Sequence, residues 1–236
     1  WVYQVNACRR LTHQDDGQSL RGLFSEILKN NPAPWACYFE VPGIMIASAS
    51  PELFLSRDGS TVKSSPIKGT QPTNSQQFGA KDQAENVMIV DLMRNDFGQI
   101  CKSGTVEVPR LLSSEEHPGL QHLVSDVQGE LLEDMSWSQI LTALSPPGSV
   151  SGAPKSSATQ VISHNEIPRG PYCGALGWVQ GDQAVLSVAI RTFWKDSQMN
   201  FGTGAGITWG SNARAEWEET QLKANRLISI AGGELQ

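Results

Sequence analysis

The sequence predicts an α+β protein built on large, mainly antiparallel sheets with helices packed on their outer faces. Three observations carry that prediction: apolar, β-branched and aromatic segments come in blocks, helical patterns between them are few, and short Gly/Asp turns join neighbouring segments as hairpins. A parallel sheet needs a long crossover between consecutive strands, and that alternation is missing. The 22 glycines and 13 prolines are scattered as turn punctuation and gather into no linker. No domain boundary announces itself, so residues 1–236 are read as one domain.

Strands are predicted at Val2 to Leu11, Trp35 to Val41, Ile44 to Ser48, Leu53 to Ser56, Thr105 to Val108, His122 to Val127, Ala175 to Val179, Ala184 to Thr192 and Met199 to Gly202. Arg57-Asp58-Gly59 and Gln180-Gly181-Asp182 carry the residues that a tight hairpin turn needs. Helical periodicity marks Leu20 to Lys29, a long stretch from Gln76 to Ile100, Trp137 to Leu144, Pro154 to Ile162 and Ala213 to Ile230. In the long stretch, Val87, Ile89, Val90, Leu92 and Met93 supply apolar faces for burial.

Eighteen Lys and Arg against 24 Asp and Glu leave a net charge of −6, which argues against a nucleic-acid binder with its basic footprint. At 39% hydrophobic and 18% charged residues, the chain has the composition of a folded globular protein. No apolar stretch is long enough to cross a bilayer and no basic-then-apolar leader opens the sequence. The chain begins at Trp1, inside what already reads as a strand, so an upstream segment is expected. Cys8, Cys37, Cys101 and Cys173 lie far apart with no C-x-x-C pair, which points to reduced, mostly buried thiols in a cytosol-like compartment.

Two helices each carry acids three residues apart: Asp82 and Glu85 on one, Glu216 and Glu219 on the other, with Lys223 one turn after Glu219. Spacing alone leaves two readings open. The acids form solvated faces with a Glu219–Lys223 surface pair, or they meet across a cavity as an oxygen-only site for a hard cation such as magnesium. Three glycine-bearing segments, Pro66 to Thr70, Pro147 to Lys155 and Gly202 to Gly206, read as loops able to cradle an anion, though none fits a nucleotide motif and tight turns explain them equally. Arg191 lies in the otherwise apolar strand Leu186 to Phe193, where a guanidinium needs a structural carboxylate or an anionic ligand. Lys68 is either a solvated turn residue or, if desolvated, a nucleophile.

Together these segments resemble the chorismate-utilising enzymes, which include anthranilate synthase component I, aminodeoxychorismate synthase component I, and the isochorismate and salicylate synthases. The resemblance runs in order through Tyr3-Gln4-Val5-Asn6, Ser50-Pro51-Glu52, Pro66-Ile67-Lys68-Gly69-Thr70, Ala84 to Asp96, His122-Leu123-Val124-Ser125, Gly148 to Lys155, Ala189-Ile190-Arg191-Thr192, Gly204-Ala205-Gly206 and Glu216 to Lys223. It implies an anthranilate synthase-like chorismate-binding fold with α/β/β/α layers, and a chain that corresponds to the C-terminal part of the usual polypeptide. It also removes the solvated-face reading of the acids.

Within the family, a lysine in P-I-K-G-T marks aminodeoxychorismate synthases where anthranilate synthases place alanine. The resemblance therefore implies that Lys68 adds to C2 of chorismate and that ammonia then enters at C4. The product would be 4-amino-4-deoxychorismate, for 4-aminobenzoate and folate synthesis in the cytoplasm. Ammonia would come from a glutamine amidotransferase, as a subunit or a fused domain. Glu52 matches the general acid, and His122 lies close to the reacting centre. Asp82, Glu85, Glu216 and Glu219 match the residues around Mg2+. Arg191, Tyr172, Gly204 and Gly206 match the clamp on the enolpyruvyl carboxylate, and Gly69, Thr70, Ser151 and Lys223 match contacts to the ring and its carboxylate. Gln4 stands where isochorismate and salicylate synthases carry a water-activating lysine, which argues against water as nucleophile.

Departures from the pattern are few. Ser151 replaces the usual threonine, Asp82 is shorter than the glutamate of anthranilate synthases, and Trp209-Gly210 replaces a common Ala-Asp pair. The competing readings are an anthranilate synthase component I-like enzyme and a non-catalytic chorismate-binding module.

Overall fold

The computed structural model describes residues 1–14, 17–73, 75, 77–117 and 119–235. In chain order, β1 (Gln4–Gln14) leads through α1 (Arg21–Asn30) to β2 (Trp35–Val41) and β3 (Ile44–Ser50), then to β4 (Leu53–Asp58), β5 (Thr61–Ser65) and β6 (Ile67–Pro72). Helix α2 (Ala80–Gly98) precedes β7 (Glu107–His117), β8 (Leu120–Glu130), α3 (Trp137–Leu144), the single turn α4 (Gly148–Ser151), the two-residue β9 (Gly152–Ala153) and α5 (Lys155–Asn165). The remaining elements are β10 (Ala175–Gln180), β11 (Gln183–Val188), β12 (Thr192–Lys195), β13 (Gln198–Thr208) and α6 (Ala213–Ile230).

Two sheets result, and the pairings are antiparallel as expected. The first has strand order β2-β3-β12-β13-β1-β9; the second has order β10-β11-β4-β5-β8-β6, with β7 also on β8. Strands β5 and β6 pair one after the other with β8, from Thr61 opposite Glu130 to Pro72 opposite Leu120. The layers run helices, sheet, sheet, helices. Leu20, Ile27, Ala224 and Leu227 of the α1 and α6 region pack with Ala47, Ala49, Phe193 and Phe201 on one face of the first sheet. The alternate residues Ile46 and Trp194 join a larger core that includes Leu55, Val62 and Val127 of the second sheet and Val90, Met93, Phe97 and Ile140 of α2 and α3. This alternation is the period-two pattern of a strand buried on both faces.

Helices α3 and α6 coincide with their predicted bounds because their N-caps are written in the sequence. Ser136 and Gln139 form a reciprocal capping box, and the Asn212 side chain accepts from the amides of Arg214 and Ala215. Helix α2 begins at Ala80, and the predicted start at Gln76 lies outside the described residues. Both predicted hairpin turns are present, between β4 and β5 and between β10 and β11.

Several expectations are corrected. Pro66 to Thr70 is not a loop but runs into β6, and Gly202 to Gly206 lies inside β13. Pro147 to Lys155 contains α4, β9 and the start of α5. The predicted strand Ala184 to Thr192 is broken at Ala189–Arg191, where the chain leaves one sheet for the other. Strand β7 is longer than predicted because its edge position tolerates Glu107, Pro109, Arg110, Glu115 and Glu116, a composition that conceals a strand. All four cysteines are free, Cys101 and Cys173 buried and Cys8 and Cys37 half-buried.

Phe97 is fully buried where α2 meets the second sheet. Phe97→Ala is expected to lower unfolding free energy by about 3–5 kcal/mol, measured by urea denaturation.

Candidate active site

The chain crosses between the sheets at Pro51–Glu52, from β3 to β4, and at Ala189–Arg191, from β11 to β12. The crossings are bonded to each other: the Val188 amide donates to Glu52 O at 3.0 Å, the Ala49 amide to Arg191 O at 3.0 Å, and Ser50 Oγ to Val188 O at 2.6 Å. Each crossing delivers a charged side chain to the interior. Glu52 is 3% exposed and Arg191 9% exposed, and Arg191 takes the left-handed backbone (φ 51°) that few non-glycine residues adopt.

Both side chains line one cavity with Lys68, Gly69, Thr70, His122, Tyr172, Gly204, Gly206, Lys81, Asp82, Glu85, Glu216, Glu219 and Lys223. Gly69 is the extra residue between Lys68 and Thr70 where β6 slips register on β8; its φ is 83°, and a Cβ there would stand 3.0 Å from Phe78 and 3.1 Å from Asp82. Such a bulge re-aims its neighbours and lets α2 approach. On β13, glycines at every second position clear one face. A Cβ at Gly202 would stand 2.4 Å from the Tyr172 ring, one at Gly204 2.9 Å from its hydroxyl, and one at Gly206 2.0 Å from Gln4 Nε2.

The cavity has a basic side and an acidic side. Lys68 Nζ donates to Ser149 O at 2.7 Å, and Lys223 Nζ donates to Gly204 O at 3.1 Å and pairs with Glu219 at 2.5 Å. Arg191 Nη2 lies 2.7 Å from His122 Nε2, and His122 Nδ1 lies 3.1 Å from Thr70 Oγ1. Guanidinium only donates, so Nε2 accepts and the imidazole proton is assigned to Nδ1. On the acidic side, Lys81 Nζ is 2.7 Å from Glu216 and 3.7 Å from Glu85, and Gln4 Nε2 donates to Glu85 Oε2 at 3.1 Å.

Burial sets the protonation of these groups. It pushes Glu52 up to about 7 against the opposing pull of Ser149 and Lys68. Burial, helped by Lys223, lowers Lys68, while Glu85 and Glu52 oppose that shift. Burial, then Arg191, brings His122 down to about 2, so its imidazole is neutral and serves as an acceptor for Arg191. Burial lowers Arg191 to about 10, and among the described residues no carboxylate forms an ion pair with it. A desolvated guanidinium whose partner is a neutral ring is a ready site for an anion. Asp82 and Glu85 are both raised, chiefly by burial.

The structure thus gathers fourteen of the residues selected from sequence around the cavity, and a fifteenth, Gln4, reaches it through Glu85. Ser151 differs: its hydroxyl donates to the carbonyl of Pro147, which precedes α4, and it does not line the cavity. Sequence reasoning missed Lys81, Asn6 and Ser149 as lining residues. Ser149 meets Lys68 through its backbone carbonyl, which no residue type announces, and the partner that brings Lys81 to the cavity, Glu216, lies on a distant helix.

The atoms that Asp82, Glu85, Glu216 and Glu219 offer a cation are oxygens only, and Glu85 Oε1 is buried without a hydrogen-bond partner. Among the described residues no three Asp, Glu, His or Cys side chains are spaced to ligate one ion. The set therefore fits a cation that takes one or two protein oxygens and keeps oxygens from water and substrate, as magnesium does.

A family model described as chorismate binding enzyme matches residues 1–229. The chain belongs to the chorismate-binding enzyme family. It is 37% identical to aminodeoxychorismate synthase component 1 of Escherichia coli, over 96% of this chain and 53% of that protein. It is 35% identical to anthranilate synthase component 1 of Saccharolobus solfataricus, over 98% of this chain and 58% of that protein. The crystal structure of anthranilate synthase component I from Streptococcus pneumoniae superposes with a TM-score of 0.86 at 31% identity, covering 96% of this chain and 53% of that one. The chain thus spans about half the length of these members of the family. The anthranilate synthase-like α+β fold is the one expected, and among the described residues no helix is long and apolar enough to cross a membrane.

Glu52, raised from 4.5 to about 7, binds a proton in the folded chain that the unfolded chain has released. Its contribution to stability is therefore present at low pH and is lost as pH rises through that interval. Glu52→Gln is expected to reduce the loss of urea stability between about pH 5 and about pH 8 by on the order of 2 kcal/mol.

Proposed function

We propose that this chain is the chorismate-binding catalytic part of an aminodeoxychorismate synthase, and the observation that carries the reading is Lys68. Its amine is buried, lowered in pKa, and lines the same cavity as Glu52 and the four acids. A lysine turned toward solvent would stay protonated and inert. The dicarboxylate chorismate would set one carboxylate on Arg191 beside Tyr172 and the other toward the acidic side.

Neutral Lys68 attacks C2 of the ring, both ring double bonds shift (C1=C2 to C1=C6 and C5=C6 to C4=C5), and the C4 hydroxyl leaves as water with the proton of Glu52. Ammonia then attacks C4, both double bonds shift back, and the Lys68 nitrogen departs from C2. The proton shed by the incoming nitrogen returns to Glu52. The net change is one ammonia in and one water out, giving 4-amino-4-deoxychorismate for 4-aminobenzoate and folate synthesis. Glu52, near 7, suits both halves of this exchange. Ser149 O, 2.7 Å from Nζ, orients the amine. Neutral His122 holds Arg191 in place and does not itself exchange a proton. Asp82, Glu85, Glu216 and Glu219 would surround magnesium, one or two of them as direct ligands, and the ion when bound would supply positive charge for the ring carboxylate. Ammonia would come from a glutamine amidotransferase subunit or fused domain.

A second reading, anthranilate synthase-like activity, is favoured by nearly equal identity to relatives of both names. Chorismate, magnesium and ammonium supplied to the protein separate the two. The expected product is converted by a lyase to 4-aminobenzoate, and fluorescent anthranilate would refute the assignment.

Lys68→Ala is expected to lower aminodeoxychorismate formation by about 100-fold or more while chorismate still binds, checked by product assay and calorimetry. Arg191→Met should instead weaken chorismate binding by about 10- to 100-fold in the same calorimetry, because a charge-assisted contact to a carboxylate is lost.

A further inference from the structure

Helices α2 and α6 bring Asp82, Glu85, Glu216 and Glu219 to one side of the cavity, and like charges so placed repel. Two lysines answer them in different ways. Lys223 bonds Glu219 on its own helix and Gly204 O on β13. Lys81 reaches across: its Nζ lies 2.7 Å from Glu216 Oε1 on the opposite helix and 3.7 Å from Glu85 Oε1 on its own. The Glu216 side chain is only 6% exposed, so its charge needs a partner, whereas Lys81 is 49% exposed on a flexible stem. The paired carboxylate is thus fixed in the interior, and its cation is free to swing into water.

We propose that Lys81 is an internal counterion of the acidic side, clamping α2 to α6 while no metal is present and competing with a divalent cation for Glu216 and Glu85. This rests on the reading of those carboxylates as a magnesium site. Lys81 has no part in the displacement chemistry assigned above, and its effect is exerted through the two glutamates. It makes the cation site weaker but keeps the metal-free cavity assembled.

The experiment is a Mn2+ titration of the full protein followed by electron paramagnetic resonance, with thermal melting of the metal-free and Mn2+-loaded forms. Lys81→Met is expected to bind Mn2+ about tenfold or more tightly, since a unit charge a few ångströms away is removed. Its metal-free form should melt at a lower temperature than wild type, with the difference recovered by Mn2+. Lys81→Arg, which keeps the charge, should stay near wild type in both measurements. Lys81→Gln serves in place of the methionine variant if that protein does not accumulate folded. Equal or weaker Mn2+ binding by the uncharged variants overturns this inference alone. Absence of Mn2+ binding by every form overturns it together with the metal reading, while the product assay tests the lysine chemistry separately.

Discussion

The two short crossings between the sheets, from β3 to β4 and from β11 to β12, are the constraint on which the rest of the molecule depends. Because the chain changes sheets at Pro51–Glu52 and again at Ala189–Arg191, two charged residues enter a region where strands would otherwise bury apolar side chains. The crossings hold each other through backbone hydrogen bonds, so neither can relax alone. That rigidity keeps a glutamate and an arginine out of water in spite of the free energy such burial costs. A cavity lined by desolvated ionisable groups is the consequence.

Desolvation then sorts the ionisable groups into roles. It acts against every charge, but each group has a different escape. Glu52 takes up a proton, Lys68 tends to lose one, His122 stays neutral, and Arg191, which cannot discharge, remains a cation awaiting an anion. The glycines of β13 make the arrangement possible, because a Cβ at Gly202, Gly204 or Gly206 would overlap Tyr172 or Gln4. Electrostatics and steric clearance are set by the same strand.

Much of this was readable from residues alone. Capped helices and turn-bounded hairpins were legible because their signals are local, as with Ser136 before α3 and Asn212 before α6. The acids were recognisable as pairs by helical spacing, yet spacing could not say whether the pairs met. Strand β7 was mostly hidden by its charged edge, and β6 by the Gly69 bulge that reads as a turn. The three alternate glycines of β13 carried a strand period that their composition disguised as a loop. Lys81 was overlooked because a lysine beside an aspartate on a helix usually faces solvent, and only the opposite helix gives it another partner.

By itself the sequence determined most element types, the antiparallel architecture, the family resemblance and fourteen of the residues that line the cavity, since periodicity, caps and motif order are properties of neighbouring residues. Only the tertiary structure decided which charges are desolvated and what each one faces. Those outcomes depend on residues such as Glu52 and Arg191, or Lys81 and Glu216, that lie more than a hundred positions apart and share an environment only once the sheets and helices have packed.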